Sequence, residues 1–190
     1  MKARDNPFAV DRVLQWRYRP QGWDWPWLLQ RLDQLRYRAA IVGPEGSGKT
    51  TLLEDLQPHL HALGYQSRWL QLTSQQRHLD TAQRAMLSPL GARDVLLLDG
   101  AEQMGRWRWW WLRDRSRRWG GLIVTSHRPG LLPTLVQTAS SAEVFRQMVQ
   151  HLLDGAEVPS DLEHVLREEG GNLRGALRRL YLRWAHRQEV

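Results

Sequence analysis

Residues Gly43-Pro44-Glu45-Gly46-Ser47-Gly48-Lys49-Thr50 follow the spacing G-x-x-x-x-G-K-[ST], a set of residue types suited to holding phosphate. The glycines let the backbone wrap closely round phosphate oxygens, so that amide N–H groups and the N-terminus of a following helix face the anion. Lys49 is placed to reach the β- and γ-phosphates, Thr50 to set its hydroxyl on Mg²⁺, and Thr51 completes the stretch that lines the nucleotide. The chain holds 27 Lys+Arg, yet Lys2 and Lys49 are its two lysines. A planar guanidinium does not fit between two phosphates as a compact ammonium does.

Three further residues can take part in chemistry on a triphosphate. Asp99 ends the apolar run Val95-Leu96-Leu97-Leu98 some fifty residues beyond the loop, where a carboxylate can hold Mg²⁺ directly or through water. Hydrolysis also needs a group that orients or deprotonates water. Glu102 is the nearest candidate, and His127 can hydrogen-bond the γ-phosphate or the attacking water. Both residues also admit bland roles, as a surface-loop acid and a structural strand-end histidine. No lysine follows Lys49, so the N/T-K-x-D signature of guanine recognition is absent and ATP is the favoured nucleotide.

These residues need elements to position them. Apolar runs at 38–42, 65–72, 94–99, 122–126 and 134–138 read as strands, several of them continuously apolar as buried parallel strands are. Helical spacing is predicted over 26–35, over 50–63 with Leu53, Leu56, Leu60 and Leu63 on one face and a kink at Pro58, over a polar 74–87, and over 106–119. The alternation implies an α/β fold: a P-loop NTPase three-layer sandwich round a parallel five-stranded sheet. After residue 139 the pattern turns helical, with capping boxes at Ser140/Glu143 and Ser160/Glu163 and Asn172 capping a last helix. The expected organisation is an irregular, extended N-terminal arm with a short helix (1–36), an α/β core (37–139) and a small helical lid (140–190).

Absence of cysteine excludes disulfides, thiolate metal sites and cysteine nucleophiles. No signal peptide and no membrane-length apolar run are visible, so a soluble cytoplasmic protein without stable membrane insertion is the expectation. The net charge of +7 points to an anionic partner, nucleic acid first. Eleven tryptophans fall mainly in two clusters, Trp23/Trp25/Trp27 and Trp107/Trp109/Trp110/Trp111 with Trp119. A single helix cannot bury the whole second cluster. Trp107, Trp110 and Trp111 share one face, with Trp109 round the side. Either this is an Arg/Trp surface for nucleic acid or a protein partner, or the first cluster covers it as a satellite core; the second reading is favoured.

In order and spacing, the loop, the apolar strand ending in Asp99, the segment Leu122-Ile123-Val124-Thr125-Ser126-His127-Arg128-Pro129 and the run Gly171-Asn172-Leu173-Arg174 resemble the AAA+ ATPases. The chain is also similar to a group of small bacterial P-loop ATPases that share its Asp-Gly-x-Glu-Gln and Thr-x-His-Arg-Pro types of segment. Asn6-Pro7-Phe8 resembles the opening of small ATPases of the secretion and transposition-helper type. The resemblance implies an ATPase that uses ATP and Mg²⁺, with His127 at the sensor 1 position and Arg174, as sensor 2, over the γ-phosphate. Two departures stand out. Gly100 follows Asp99 where the family has a water-polarising Glu, so either Glu102 substitutes or hydrolysis is slow. Only residues 128–133 fill the gap where ring-forming members carry an arginine finger, with Arg128 the one candidate. The implied activity is that of a nucleotide-driven switch on a protein partner, as a monomer or a nucleotide-dependent oligomer. A nucleic-acid-stimulated ATPase regulator, a small-molecule kinase and a non-hydrolysing adaptor are the alternatives.

Overall fold

The computed structural model describes residues 6–13, 23–139 and 142–187. Its contacts divide the chain into two compact units, one of Met1–Tyr18, Pro44–Gly48 and Ala139–Val190, the other of Arg19–Gly43 and Lys49–Thr138.

The second unit is built on five strands: β1 (Arg38–Val42), β2 (Gln66–Gln71), β3 (Asp94–Asp99), β4 (Gly121–Ser126) and β5 (Thr134–Gln137). They form one parallel sheet in the order β2-β3-β4-β1-β5. A parallel sheet needs helical crossovers on its faces, which is why β3 and β4 are almost continuously apolar and buried. Successive side chains alternate between the two faces. Leu96, Leu98, Leu122 and Val124 join Leu87, Trp109 and Leu112 in one cluster. The opposite face meets α3 (Lys49–Ala62), which contacts β1, β2, β3 and β4.

α2 (Trp25–Gln34) starts where Asp24 accepts from the Trp27 amide at 2.9 Å, with Pro26 in the first turn, where its missing N–H has no use. Its Arg31 donates to the carbonyls of Leu135 and Thr134 at 3.0 and 3.2 Å, capping part of the edge strand β5. α3 buries Leu52, Leu53, Leu56 and Leu60, and it stays helical through Pro58. Leu63 is exposed, because the helix has ended at Ala62 and Gly64 turns the chain with φ 85°.

The polar helix expected over 74–87 is shorter, confined to α4 (Thr81–Leu87). Asp80 accepts from the Gln83 amide at 2.8 Å while the Gln83 side chain accepts from the Asp80 amide at 3.0 Å. That box fixes the helix start seven residues late. α5 (Arg106–Arg115) runs into a 3-10 turn, Ser116–Arg118. Arg38 clamps this end, donating to Ser116 O at 2.8 Å and Ser116 Oγ at 2.6 Å. A cation is well placed at a helix C-terminus. Burial, followed by the neighbouring charges of Arg113 and Arg117, pulls the Arg38 pKa down.

The other unit is helical: α1 (Val10–Val13), α6 (Ala142–Leu153), α7 (Leu162–Glu168) and α8 (Leu173–Arg187). Phe145, Val149, Leu162, Val165, Ala176 and Leu180 form its core, and Phe8 enters that core against Trp184 at 6.0 Å between ring centroids. Asn6 fixes the insertion, donating to Tyr181 O and accepting from the Phe8 amide, each at 3.0 Å. Residues 6–13 are therefore a packed turn and a helical turn, not an extended arm, because Phe8 has apolar surface to bury; 14–22 lie outside the described residues. Ser140 also lies outside them. The box expected at Ser160/Glu163 does not form: Asp161 holds the position before α7 without a side-chain cap, and Glu163 pairs with Arg146 at 3.3 Å.

Candidate nucleotide site

The strand order brings the carboxyl ends of β3, β4 and β1 side by side, the edge where parallel α/β sheets bind ligands. The phosphate loop leaves β1 here, and the Gly43 amide donates to Ser126 O at 3.1 Å, tying it to β4. Gly46 and Gly48 take φ of 72° and 85°, left-handed values that let the loop close on itself. Ser47 Oγ donates to Pro44 O at 2.8 Å across the bend. Pro44 and Glu45 are exposed, whereas Lys49 is buried and its ammonium donates to Gly43 O at 2.8 Å. Lys49, Thr50 and Thr51 form the first turn of α3, and both threonines are half-buried.

Asp99 is buried at the end of β3 and gathers three donors. Thr125 Oγ1 donates to its Oδ1 at 2.6 Å, and Thr50 Oγ1 and Gln71 Nε2 both donate to its Oδ2 at 3.1 Å. Register explains the row. Gln71 is the partner of Asp99 in the β2–β3 pair, and Leu98 pairs with Val124, so Thr125 is the next neighbour on the other side. Gln71 and Thr125 were not singled out by sequence spacing. Gln71 ends a β2 that is itself mostly polar, and Thr125 is the first polar residue after the apolar run of β4, so neither stands out without the register.

Gly100 follows with φ 76°, and a Cβ there would run into the Leu72 carbonyl oxygen. Its amide donates to Thr125 Oγ1 at 2.8 Å. This left-handed turn is the physical reason no side chain stands directly after Asp99. The chain continues into a 3-10 turn, Ala101–Gln103, which carries Glu102. Glu102 Oε1 lies 3.4 Å from His127 Nε2, so these two sequence candidates are brought together. Glu102 Oε2 is buried with no hydrogen-bond partner. An orphaned carboxylate oxygen of this kind calls for a donor such as a water. Arg128 is exposed and held by its backbone in a turn with Ser126, whose hydroxyl donates to Arg128 O at 2.8 Å.

In the helical unit, Asn172 caps α8 as its position predicts, accepting from the amides of Arg174 and Gly175 at 3.1 Å each. The same unit contains the loop segment Pro44–Gly48. A Cβ on Gly46 would collide with Asn172 Oδ1 and stand 3.0 Å from the Leu173 amide nitrogen. The α8 N-terminus thus abuts the phosphate loop, and Arg174 is exposed in its first turn.

No group of three or more His, Cys, Asp or Glu gathers among the described residues. The Thr50 hydroxyl and Asp99 carboxylate are the side chains suited to a Mg²⁺ ion shared with a nucleotide's phosphates, a set that uses substrate oxygens in place of a protein cage.

The favoured expectation for the tryptophans is overturned. Trp25 stacks on His59 of α3 at 4.1 Å, and Trp23 and Trp27 pack together at 6.5 Å. That cluster belongs to the α3 side of the sheet. α5 lies across the other face, so Trp23, Trp25 and Trp27 do not cover it; Trp109 is the α5 tryptophan that turns inward.

No protein-family model matches the chain, and no curated protein sequence matches it significantly. Solved structures do. The Thermotoga maritima RuvB Holliday junction branch migration motor aligns with 80% of this chain at 18% identity and a TM-score of 0.51. AMPPCP-bound DnaA from Aquifex aeolicus aligns with 78% at 17% identity and 0.51. A replication initiator DnaA bound to AMPPCP and single-stranded DNA aligns with 83% at 17% identity and 0.55. The aligned region spans 58%, 56% and 59% of those chains respectively, so this chain corresponds to only part of each. With the parallel sheet and its phosphate loop, these likenesses show that the chain has the fold of an AAA+-like P-loop ATPase.

Proposed function

We propose that the chain binds ATP with Mg²⁺ and hydrolyses it slowly or on demand, using nucleotide occupancy to set the position of its helical unit on a protein partner. The observation that carries this is the Thr50–Asp99 contact of 3.1 Å one residue from Lys49. It joins the loop's hydroxyl to the strand-end carboxylate, as a shared cation requires. When bound, Mg²⁺ would neutralise charge on the phosphates and fix their geometry.

The chain's own residues divide the remaining work. Glu45, Gly46, Ser47 and Gly48 supply backbone N–H groups to the phosphates, Gly43 and Pro44 (which has no N–H) lead the chain into the loop, and Lys49 exchanges its bond to Gly43 O for phosphate oxygens. Thr125 and Gln71 hold the Asp99 carboxylate in place. Glu102 takes the role of orienting water. Its unpartnered Oε2 supports that assignment, with His127 fixing the other oxygen. Arg174, in the first turn of the helix that abuts Gly46, reads the γ-phosphate and passes its presence to α8.

The test separates binding from turnover. Lys49→Ala should abolish ATP binding in a calorimetric titration. Glu102→Gln should keep affinity and lower phosphate release by about 100-fold or more, the usual contribution of a general base. Unchanged affinity in the first variant overturns the loop assignment, and unchanged turnover in the second leaves Glu102 without a catalytic role.

A further inference from the structure

α5 turns one stripe inward, Trp109 and Leu112, with Ser116 just beyond its end. At 3.6 residues per turn, or about 100° per residue, Trp107, Trp110 and Trp111 lie on the opposite crown. They are 87%, 65% and 43% exposed. Arg106 and Arg113 flank this crown on one side, Arg108 and Arg115 on the other, and Arg117 and Arg118 continue it into the 3-10 turn. The segment has a single acid, Asp114, and it is engaged with Arg117 at 3.6 Å. The Arg115 guanidinium stands over the Trp111 ring, 5.7 Å from its centroid. Three adjacent indoles in water are an apolar patch of the kind that marks an interaction site.

The composition of the patch narrows the partner. Trp and Arg are also enriched at protein–protein interfaces; what sets this patch apart is arginine on both flanks and along the following turn with one acid among them, a charge of one sign that suits a polyanion. A helix that lies in a membrane interface carries Trp, Phe or Leu on one face and its basic residues on the opposite one, whereas in α5 the opposite face is buried and the arginines flank the indoles themselves. What fits is a ligand offering flat apolar rings and regularly spaced anions together. We propose that α5 and the turn after it dock single-stranded nucleic acid, with bases stacking on Trp107, Trp110 and Trp111 and phosphates held by the flanking arginines. The first and last of these indoles are one turn apart, a rise of about 6 Å along the helix. Arg38, held against Ser116, anchors this platform to β1. This platform stands apart from the nucleotide site and uses none of its residues.

Anisotropy of a fluorescein-labelled oligothymidylate, titrated with the full chain at about 50 and 200 mM salt, tests it. Binding is expected to weaken at the higher salt, and Trp107→Ala and Trp110→Ala should each weaken it by about 5-fold or more, with circular dichroism unchanged. Replacing Arg113 and Arg117 by Gln should lower the salt slope by roughly 1.4, at about 0.7 per phosphate contact on a single strand. No binding at low salt, binding that ignores both tryptophan replacements, tighter binding to a duplex of the same length, or capture by anionic vesicles alone would each overturn the proposal.

Discussion

Placing a methyl group on Gly46 tests the closest contact between the phosphate loop and α8. The left-handed backbone there costs an L residue about 1–2 kcal/mol, partly offset by roughly 0.4–1 kcal/mol from the stiffer unfolded chain. The second contribution comes from Asn172. Its Oδ1 occupies the place the methyl needs, with its Cγ at 3.2 Å from that position, so the side chain must turn away. Turning releases the amides of Arg174 and Gly175 and removes the α8 cap, about 1 kcal/mol within a range of roughly 0.5–2.

Gly46→Ala therefore destabilises the helical unit by about 2 kcal/mol, and Asn172→Ala by about 1 kcal/mol. In the Asn172→Ala background the cap is already gone, leaving the backbone strain and the Leu173 amide, 3.0 Å from the new methyl, to oppose the change. The double variant should be more stable than the two single effects imply, by roughly 1 kcal/mol. Hydrogen exchange of the first turns of α8 reads this locally: about 2 kcal/mol is roughly a 30-fold loss of protection. Single effects that add to within about 0.3 kcal/mol would refute the contact between Gly46 and Asn172.

Gly100→Glu, which sets an acid directly after Asp99, should slow phosphate release and lower the melting temperature, because its Cβ meets Leu72 O and its backbone is left-handed; faster turnover in a phosphate-release assay would show that Gly100 is not conformationally required. Phe8→Ala removes a buried aromatic from the helical core and should cost that unit about 3–5 kcal/mol in urea unfolding followed by circular dichroism; a loss below about 1 kcal/mol would mean the insertion is not a core contact. Asp161, hydrogen-bonded to Arg183 at 2.6 Å, has its pKa held below the ordinary carboxylate value by that bond first. Its contribution is therefore present above the unfolded carboxylate's pKa and lost as pH falls through the lowered folded value. Arg183→Ala should raise the Asp161 midpoint in a carboxyl NMR titration, and an unmoved midpoint counts against the pairing.

Periodicity made the architecture legible because parallel strands buried on both faces can hardly be other than apolar runs: β3 and β4 announce themselves in this way. The α3 stripe of Leu53, Leu56 and Leu60 is legible for the same reason. Boundaries failed where a short-range polar contact decides them. The α4 start depends on the Asp80/Gln83 box, and the polar residues 74–80 carry no apolar period to argue against a longer helix. The partnering of the tryptophans was illegible for a different reason. Trp25 and Trp109 are alike as residues, and only the handedness of the crossovers sends α3 and α5 to opposite faces of the sheet.

The site shows the same division between motif and placement. Gly43 to Thr50 and Asp99 are legible because phosphate and cation chemistry fix both residue type and order. Gln71 and Thr125 are not, since register alone brings three strand ends into one row with Asp99. Gly100 lies between these cases. By sequence it reads as a missing acid. In the fold it is the residue that allows β3 to turn left-handed against Leu72 and donate to Thr125, and the turn it starts carries a carboxylate to His127 two residues later. A side chain directly after Asp99 and a Glu102–His127 pair are therefore alternatives, because the first requires a Cβ where Leu72 O already stands. Under the proposed function the carboxylate that orients water stands at Glu102 and not directly after Asp99, and Glu102→Gln is the replacement that tests it.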